Sequence, residues 1–241
     1  MRAFARPTVP SRRKWTLFFF RAAVYNGFIL EKRGGINMAQ RGRFIVFEGL
    51  DGSGKSTQLR LLEQRLLVLG RRVFRTAEPT DGDVGRYLRE ALSGEKPCST
   101  AQLAALFLAD RIAHNEEIAA HLDAGEDVIC DRYYYSSLAY QGPGTDPGWV
   151  ADMNRRCPAI MKPDLCVFLD VDYRRCKARL DAGRDALEIY ERDLGFMEAT
   201  RNVVLAVFRR YEDEDRIAIV DADRDRDAVA EEIFEVVKAI L

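Results

Sequence analysis

A lysine and a hydroxyl residue directly follow a glycine-rich turn in the first third of the chain. Gly49, Gly54, Lys55 and Ser56 fit the spacing G-x-x-x-x-G-K-S. In this pattern backbone N–H groups surround phosphate oxygens, the lysine reaches the outer phosphates, and the hydroxyl binds Mg²⁺. The segment therefore predicts a binding site for a nucleoside triphosphate, made of Gly49, Leu50, Asp51, Gly52, Ser53, Gly54, Lys55, Ser56 and Thr57.

An acid and a base follow a second apolar run, Val128–Cys130. Asp131, placed after such a strand, can hold Mg²⁺ directly or through water, and Arg132 would then face a phosphate. Ligands of open α/β sheets bind at the carboxyl ends of the strands, so we expect this pair at the same edge as the glycine-rich loop. Taken alone, the pair fits a surface ion pair equally well.

Strands and helices must position these residues, and their patterns alternate along the chain. Apolar runs predict five strands, at Arg43–Glu48, Arg72–Thr76, Asp127–Cys130, Leu165–Asp170 and Arg216–Val220. Helical patterns lie between and after them, the longest at 100–123, 190–211 and 225–241. This alternation predicts an α/β fold of three layers, with a five-stranded parallel sheet and helices on both faces.

The composition is that of a globular protein with one sizeable core. The chain has 241 residues, of which 47% are hydrophobic and 31% charged. Its 37 basic and 38 acidic side chains give a net charge of -1, so no basic excess indicates nucleic acid as a partner. The five cysteines form no C-x-x-C pair, which favours reduced cysteines in the cytoplasm over a zinc site or disulfides.

The first 37 residues differ from the rest, because they are rich in arginine and poor in acids. Their apolar patch, Trp15–Phe20, is interrupted by Arg21 and is too short to span a bilayer, so no membrane partner is expected. A leader of this composition could be an organellar transit peptide.

We favour another interpretation of this leader. Met38 lies just before the first strand, and residues 31–35 can be encoded by a purine-rich run placed like a bacterial ribosome-binding site. Residues 1–37 would then be a largely unstructured extension from a misassigned start, and the domain would span 38–241.

Four segments in this order resemble the thymidylate kinases. The most specific runs from Asp131 to Gly142 and reads DRYYYSSLAYQG. The others are Glu78–Thr80, Leu106–Arg111 and Pro163–Val171. The resemblance implies a P-loop kinase fold with a short lid, and transfer of the ATP γ-phosphoryl group to dTMP with Mg²⁺. It also implies a cytoplasmic homodimer that serves dTTP synthesis.

The resemblance assigns roles near the two phosphate groups. It implies that Lys55 and Ser56 serve ATP and Mg²⁺, the metal being shared with Asp131, and that Arg111 and Arg132 hold the acceptor phosphate. Asp51 resembles a carboxylate that approaches the acceptor sugar and the metal. A side chain that caps the loop is an equally good reading of Asp51.

The resemblance also assigns residues to the nucleoside of the acceptor. Phe107 would stack on thymine, although helical spacing alone would place it in the core. Tyr140 would stand beside the sugar and moderately disfavour a 2′-hydroxyl. The remaining candidates for acceptor contacts are Glu78, Ser136, Ser137 and Gln141.

The resemblance implies an arginine that meets the transferring phosphoryl group, placed in some members of the family in the phosphate loop, but the loop between Gly49 and Gly54 has none. The resemblance then implies that the charge comes from a lid at about 179–191, where Arg179 and Arg184 are candidates and Arg184 is preferred. The lid departs from the family pattern, since Leu187–Glu191 stands where an Asp-Arg pair usually leads into a Glu.

Two other functions fit parts of the sequence. One is a P-loop kinase for another pyrimidine nucleotide, such as dUMP, or for a deoxynucleoside. The other is a regulatory nucleotide-binding module that hydrolyses slowly. Such a module would need the glycine-rich loop but not a second substrate pocket, so the segment after Asp131 argues against it.

Overall fold

The computed structural model describes residues 41–183 and 188–241. The predicted extension at 1–37 and the lid candidate Arg184 lie outside the described residues. The strands are β1 (Phe44–Glu48), β2 (Val73–Ala77), β3 (Asp127–Asp131), β4 (Leu165–Asp170) and β5 (Ile217–Asp221). The helices are α1 (Lys55–Val68), α2 (Asp83–Ser93), α3 (Thr100–Asp123), α4 (Tyr134–Tyr140), α5 (Pro147–Arg155), α6 (Tyr173–Gly183), α7 (Leu194–Tyr211) and α8 (Arg226–Lys238).

The strands form one parallel sheet in the order β2-β3-β1-β4-β5. Asp131 at the end of β3 lies in register with Phe47 on one side and with Ala77 on the other. The carboxyl ends of the three strands therefore meet at one edge, where the loops that follow them can share a ligand. The predicted α/β fold with a five-stranded parallel sheet is confirmed.

Helices pack on both faces of this sheet because its strands are apolar on both sides. On one face α1 and α8 cover the sheet, with Leu62, Leu66 and Ile233 in the core. On the other face α3, α4 and α7 pack on the sheet, with Ile118 and Phe208 among the buried residues. These two layers fix β1 rigidly, and so fix the start of the loop that follows it.

Two helix starts differ from the pattern-based boundaries, and capping explains both. The helix expected from residue 190 begins at Leu194, because Asp193 accepts a hydrogen bond of 3.0 Å from the N–H of Phe196. The sequence also predicts a short helix at 149–156, and in the structure this helix begins at Pro147, which follows the capping residue Asp146. Residues 190–193 therefore lie before the helix, and Tyr190 reaches the candidate site.

The described residues belong to one unit, Ala39–Leu241. The predicted domain start at residue 38 stays a prediction. Among the described helices, no segment combines the length and the apolar character needed to cross a membrane.

Candidate active site

The chain turns sharply between β1 and α1, and glycines allow this turn. Gly52 has a φ of 82° and Gly54 a φ of 98°, in the left-handed region that favours glycine. A Cβ on Gly52 would lie 2.5 Å from the carbonyl oxygen of Cys176, so the loop touches the backbone of α6. The first turn of α1 holds no acidic residue, and its N–H groups therefore favour an anion.

Lys55 folds back over this loop. Its ammonium group donates hydrogen bonds to the carbonyl oxygens of Gly49 at 2.9 Å and Leu50 at 3.1 Å. It also lies 3.8 Å from Oδ1 of Asp51, and only 7% of its side chain is exposed. The loop therefore holds a positive charge next to its own N–H groups, which suits a chain of phosphates.

Arg132 connects the loop to α4. Its guanidinium donates to Oδ2 of Asp51 at 2.8 Å and to the hydroxyl of Ser136 at 2.9 Å. It lies 5.3 Å from the ring centre of Tyr140. Its φ of 69° makes it the one non-glycine residue with positive φ in the described ranges. Such a conformation costs free energy and persists where the surroundings hold it, and here the N–H of Arg132 donates to the carbonyl of Phe47 at 2.8 Å.

Glu48 lies beneath this cluster at the end of β1 and is 2% exposed. Its carboxylate accepts hydrogen bonds from the N–H of Tyr133 at 3.0 Å and from the N–H and hydroxyl of Ser136 at 3.1 Å and 2.6 Å. Burial raises the pKa of Glu48, although the charge of Arg132 and these hydrogen bonds partly oppose the rise. Sequence reasoning gave Glu48 no role.

Two oxygen ligands in the cleft fit a magnesium ion. The hydroxyl of Ser56 stands at the exposed start of α1, and Asp131 faces the same cavity. Oδ1 of Asp131 is buried and accepts no hydrogen bond within the described part of the chain. Mg²⁺ is usually bound by one or two carboxylates together with substrate phosphates and water, so this donor set fits it.

Arg111 also lines the cavity and is held by several hydrogen bonds. It is 1% exposed, and its Nε donates to Glu78 at 2.8 Å. Its remaining donors reach Ser137 at 3.2 Å and Asn154. The other carboxylate oxygen of Glu78 lies 3.1 Å from Nδ1 of His114. The buried guanidinium is thus neutralised and oriented by the end of β2.

Aromatic side chains form the wall of the cleft. Phe107 is half-buried on α3 and packs against Leu103. It also lines the cavity, so the structure accommodates both the stacking role and the core role. Tyr140 and Tyr190 also line the cavity, and their ring centres are 5.2 Å apart. Gln141 donates to the hydroxyl of Tyr190 at 3.3 Å.

These groups surround one cavity of about 490 Å³, which is large enough for a small-molecule substrate. Most of the predicted site residues line it: Asp51, Gly52, Gly54, Lys55, Ser56, Thr57, Glu78, Phe107, Arg111, Asp131, Arg132, Ser136, Ser137, Tyr140 and Gln141. The predicted residues Gly49, Leu50 and Ser53 belong to the loop but do not line the cavity. The sequence motif includes them because it describes the backbone of the whole loop.

Comparison with known proteins agrees with this geometry. A family model of thymidylate kinase matches residues 47–233 of the chain. The chain belongs to the thymidylate kinase family.

A probable thymidylate kinase of Pyrobaculum aerophilum is 39% identical over 201 residues, which cover 82% of this chain and 97% of the relative. A thymidylate kinase of Leifsonia xyli is 38% identical over 196 residues, covering 80% and 92%. A probable thymidylate kinase of Methanococcus aeolicus is 43% identical over 150 residues, covering 62% and 71%.

This thymidylate kinase family member has further cleft residues that sequence reasoning missed. Arg89 lines the cavity and donates to the carbonyl of Pro79 at 2.9 Å. A signal existed for it, since it shares the buried face of α2 with Leu88 and Leu92. Tyr190, which lines the cavity, and Asn154, which is fully buried and accepts a hydrogen bond from Arg111, carried no such signal.

Helix α6 contacts the glycine-rich loop. Arg179 donates to the carbonyl oxygen of Gly52 at 2.9 Å. Arg179, Leu180 and Gly183 all line the cavity. The predicted lid at about 179–191 stays a prediction, and its candidate Arg184 lies outside the described residues.

Proposed function

We propose that this chain transfers the γ-phosphoryl group of ATP to dTMP, giving ADP and dTDP, with the candidate residues in the roles that follow. One observation carries the proposal. The phosphate loop and a second cationic group, Arg132, face the same cavity and are joined by Asp51. A nucleotide hydrolase needs the loop alone, whereas a kinase for a monophosphate needs a second phosphate partner beside it.

The donor side is formed by the loop and the start of α1. Lys55 and the N–H groups of the loop bind the β- and γ-phosphates of ATP, and the loop glycines let the backbone approach them. Ser56 and Asp131 would hold Mg²⁺, which supplies charge neutralisation to the phosphates when it is bound. Because such transfer needs little covalent chemistry from the protein, positioning and charge carry the catalysis.

The acceptor phosphate is bound by Arg132 and by the buried Arg111, which line the same cavity. Asp51 lies between Arg132 and the donor-side Lys55, 2.8 Å from the first and 3.8 Å from the second. It thereby fixes the separation of the donor and acceptor partners. Holding two phosphates in line in this way removes the entropic cost of their encounter.

The nucleoside of dTMP is placed by the aromatic wall. Phe107 stacks on thymine and Tyr140 borders the deoxyribose. Ser136, Ser137 and Gln141 offer hydrogen bonds to the sugar or the base edge, while Glu78 acts by orienting Arg111. The hydroxyl of Ser136 is already engaged by Glu48 and Arg132, so its contact with substrate is the least direct of the three.

The lid supplies the arginine that meets the transferring group. Arg179 is already bonded to the carbonyl of Gly52, a contact that braces the loop, so we assign the transition-state role to Arg184. Arg184→Ala should lower kcat by about 10³-fold or more and leave the KM for ATP nearly unchanged. Arg174→Ala, at the exposed start of α6 and paired with Asp172, is the control. If Arg179→Ala lowers kcat and Arg184→Ala does not, the assignment reverses.

A coupled assay of ADP release tests the reaction itself. The full chain is given Mg²⁺ and ATP with dTMP, dUMP, dCMP or thymidine in turn. We expect the highest kcat/KM with dTMP and no stimulation by thymidine, because Arg132 needs a phosphate to bind. Activity confined to thymidine, or no stimulation by any monophosphate, would contradict the proposal and favour one of the other two functions.

The family resemblance also implies a homodimer in the cytoplasm, and α3 offers a surface for a second copy of the chain. On its outer face Ala105 and Ala109 are exposed, beside the half-buried Leu108 and Ile112. This spacing makes a continuous apolar stripe on the helix. Light scattering at several concentrations should give twice the chain mass, and Ala109→Arg should give a monomer. The exposed Ala239→Arg serves as the control, and a monomeric wild type would refute the dimer.

A further inference from the structure

Glu48 is a buried carboxylate for which the proposed reaction has no direct use. It ends β1, a strand whose residues are all buried, at the point where the chain enters the phosphate loop. Burying a carboxylate costs free energy, and the raised pKa of Glu48 reflects that cost. A buried acid at such a place therefore needs an explanation in the contacts that it makes.

The carboxylate of Glu48 makes its hydrogen bonds to the segment that carries Arg132. One carboxylate oxygen accepts the N–H groups of Tyr133 and Ser136, at 3.0 Å and 3.1 Å. The N–H of Ser136 also donates to the carbonyl of Tyr133 at 3.1 Å, so Glu48 gives the first turn of the helix an additional acceptor. Glu48 thus holds the start of α4, which follows the turn at Arg132, against the end of β1.

The second carboxylate oxygen of Glu48 orients the hydroxyl of Ser136. It accepts the proton of Ser136 Oγ at 2.6 Å. A serine hydroxyl has one proton to donate, so the lone pairs of Ser136 are left for Arg132, whose Nη1 donates to them at 2.9 Å. On its other side the same guanidinium is held by Asp51 at 2.8 Å.

We propose that Glu48 is a positioning residue for the acceptor, which acts through Ser136 to hold Arg132 in the orientation that binds the acceptor phosphate. The inference rests on the role proposed above for Arg132. A flexible arginine loses rotamer freedom when it binds a ligand, and a residue that fixes it beforehand reduces that loss. The effect falls on acceptor binding, because ATP is bound by the other side of the loop.

Steady-state kinetics of four variants test this inference. Glu48→Gln keeps the size of the side chain and removes its charge, and Ser136→Ala removes the hydroxyl that links Glu48 to Arg132. We expect Glu48→Gln to raise the KM for dTMP about tenfold and the KM for ATP less than about twofold. Ser136→Ala should act in the same direction, and the double variant should be no worse than the more severe single one, since both break one chain of contacts.

The fourth variant, Arg132→Ala, separates this inference from the proposed function. If Arg132→Ala leaves the KM for dTMP unchanged, the role of Arg132 itself is wrong. If it raises that KM strongly while Glu48→Gln and Ser136→Ala do not, the positioning role is wrong and the proposed function stands. Multiplicative effects in the double variant, or equal rises in both KM values, would also overturn it.

A merely structural role is excluded by a matched control. Asp127→Asn alters another buried carboxylate on the same sheet, at the opposite end of β3, bonded to Arg71 and to the N–H of Arg43. We expect it to lower stability and to leave both KM values unchanged. If Glu48→Gln does not fold, Ser136→Ala decides the question, because an unchanged KM for dTMP in that variant refutes the inference.

Discussion

The buried carboxylate Asp215, at the amino edge of the sheet, is paired directly with cations, whereas Glu48 and Asp131, at the carboxyl edge, form no direct ion pair with a described residue. Asp215, just before β5, shows the first situation. It accepts hydrogen bonds from Tyr135 at 2.8 Å and from Arg155, and its other oxygen lies 2.8 Å from Lys162. Burial alone would raise the pKa of Asp215, but these bonds outweigh it and the pKa is lowered.

The carboxyl edge shows the second situation. Asp131 has a buried oxygen that accepts no hydrogen bond from a described residue. Glu48 reaches the cation Arg132 only through a serine, and burial leaves the pKa of Glu48 raised. The backbone of Arg132 also holds a conformation that few non-glycine residues adopt.

The contrast separates two uses of buried charge in one sheet. At the amino edge the protein supplies every partner, so the charges contribute to stability. At the carboxyl edge part of the bonding capacity is left for phosphate and metal, and this costs stability in the protein alone. The same substitution should therefore have opposite consequences at the two edges.

The largest effect is expected for Lys55→Met. Removing a cation that faces the transferring phosphates should lower kcat by about 10²–10³-fold. The free energy of unfolding should change by less than about 1 kcal/mol, because only two backbone carbonyls lose a donor. Steady-state kinetics and urea unfolding measure the two quantities.

The amino-edge counterpart of this variant is Lys162→Met, which loses its contact with Asp215. It should keep wild-type kcat and KM. A loss of activity in Lys162→Met similar to that of Lys55→Met would show that the two edges are not functionally separate.

A pair of isosteric changes gives the next largest effect. Asp215→Asn should lower the free energy of unfolding by about 2–4 kcal/mol, because Arg155 and Lys162 lose their ionised partner, and should leave kcat unchanged. Asp131→Asn should do the reverse, lowering kcat about 100-fold at low Mg²⁺ with no loss of stability. Urea unfolding and a magnesium titration of activity are measured on both proteins. The comparison fails if Asp131→Asn is the less stable of the two.

The location of the site could be predicted from the sequence because its central residues lie in short, continuous segments. The loop at 49–57 and the segment at 131–141 each build their geometry from adjacent residues, and a spacing pattern records such geometry directly. The alternation of apolar runs likewise predicted the parallel sheet. The roles of the individual residues stay predictions until the variants are measured.

What could not be predicted depends on contacts between distant parts of the chain. Arg111 meets Asn154 across 43 residues, and Glu48 meets Ser136 across 88. Neither contact leaves a local pattern, and an acid at the end of an apolar strand looks like the strand's boundary. Tyr190 was hidden for a different reason, since the helical pattern ran through it and the cap at Asp193 ends that helix later in the chain.

Acidity should shift stability in opposite directions at the two edges. The lowered pKa of Asp215 means that its stabilisation is present above the ordinary carboxyl pKa, near pH 4, and is lost as the pH falls through the lowered value. The advantage of wild type over Asp215→Asn should therefore shrink in acid. Glu48 has a raised pKa, so wild type should gain stability relative to Glu48→Gln as the pH falls through that value.

Urea unfolding of the three proteins between about pH 3 and 8 measures these two difference curves. Each is expected to have a slope of at most about 1.4 kcal/mol per pH unit, the limit for one proton. Two curves of the same sign would contradict the assignment of one carboxylate to stability and the other to the site.

The smallest effect concerns Asp170, which tests whether position or pairing decides the use of a carboxylate. It ends β4 at the carboxyl edge, yet Arg201 on α7 donates to both of its oxygens, at 2.6 Å and 2.8 Å. The pair is partly exposed, so Arg201→Gln should lower the free energy of unfolding by only about 0.5–1 kcal/mol. Because Asp170 is already paired, kcat and both KM values should stay within about twofold of wild type. A large loss of activity would mean that every carboxylate at this edge belongs to the site, and that pairing inside the protein does not distinguish the structural charges from the functional ones.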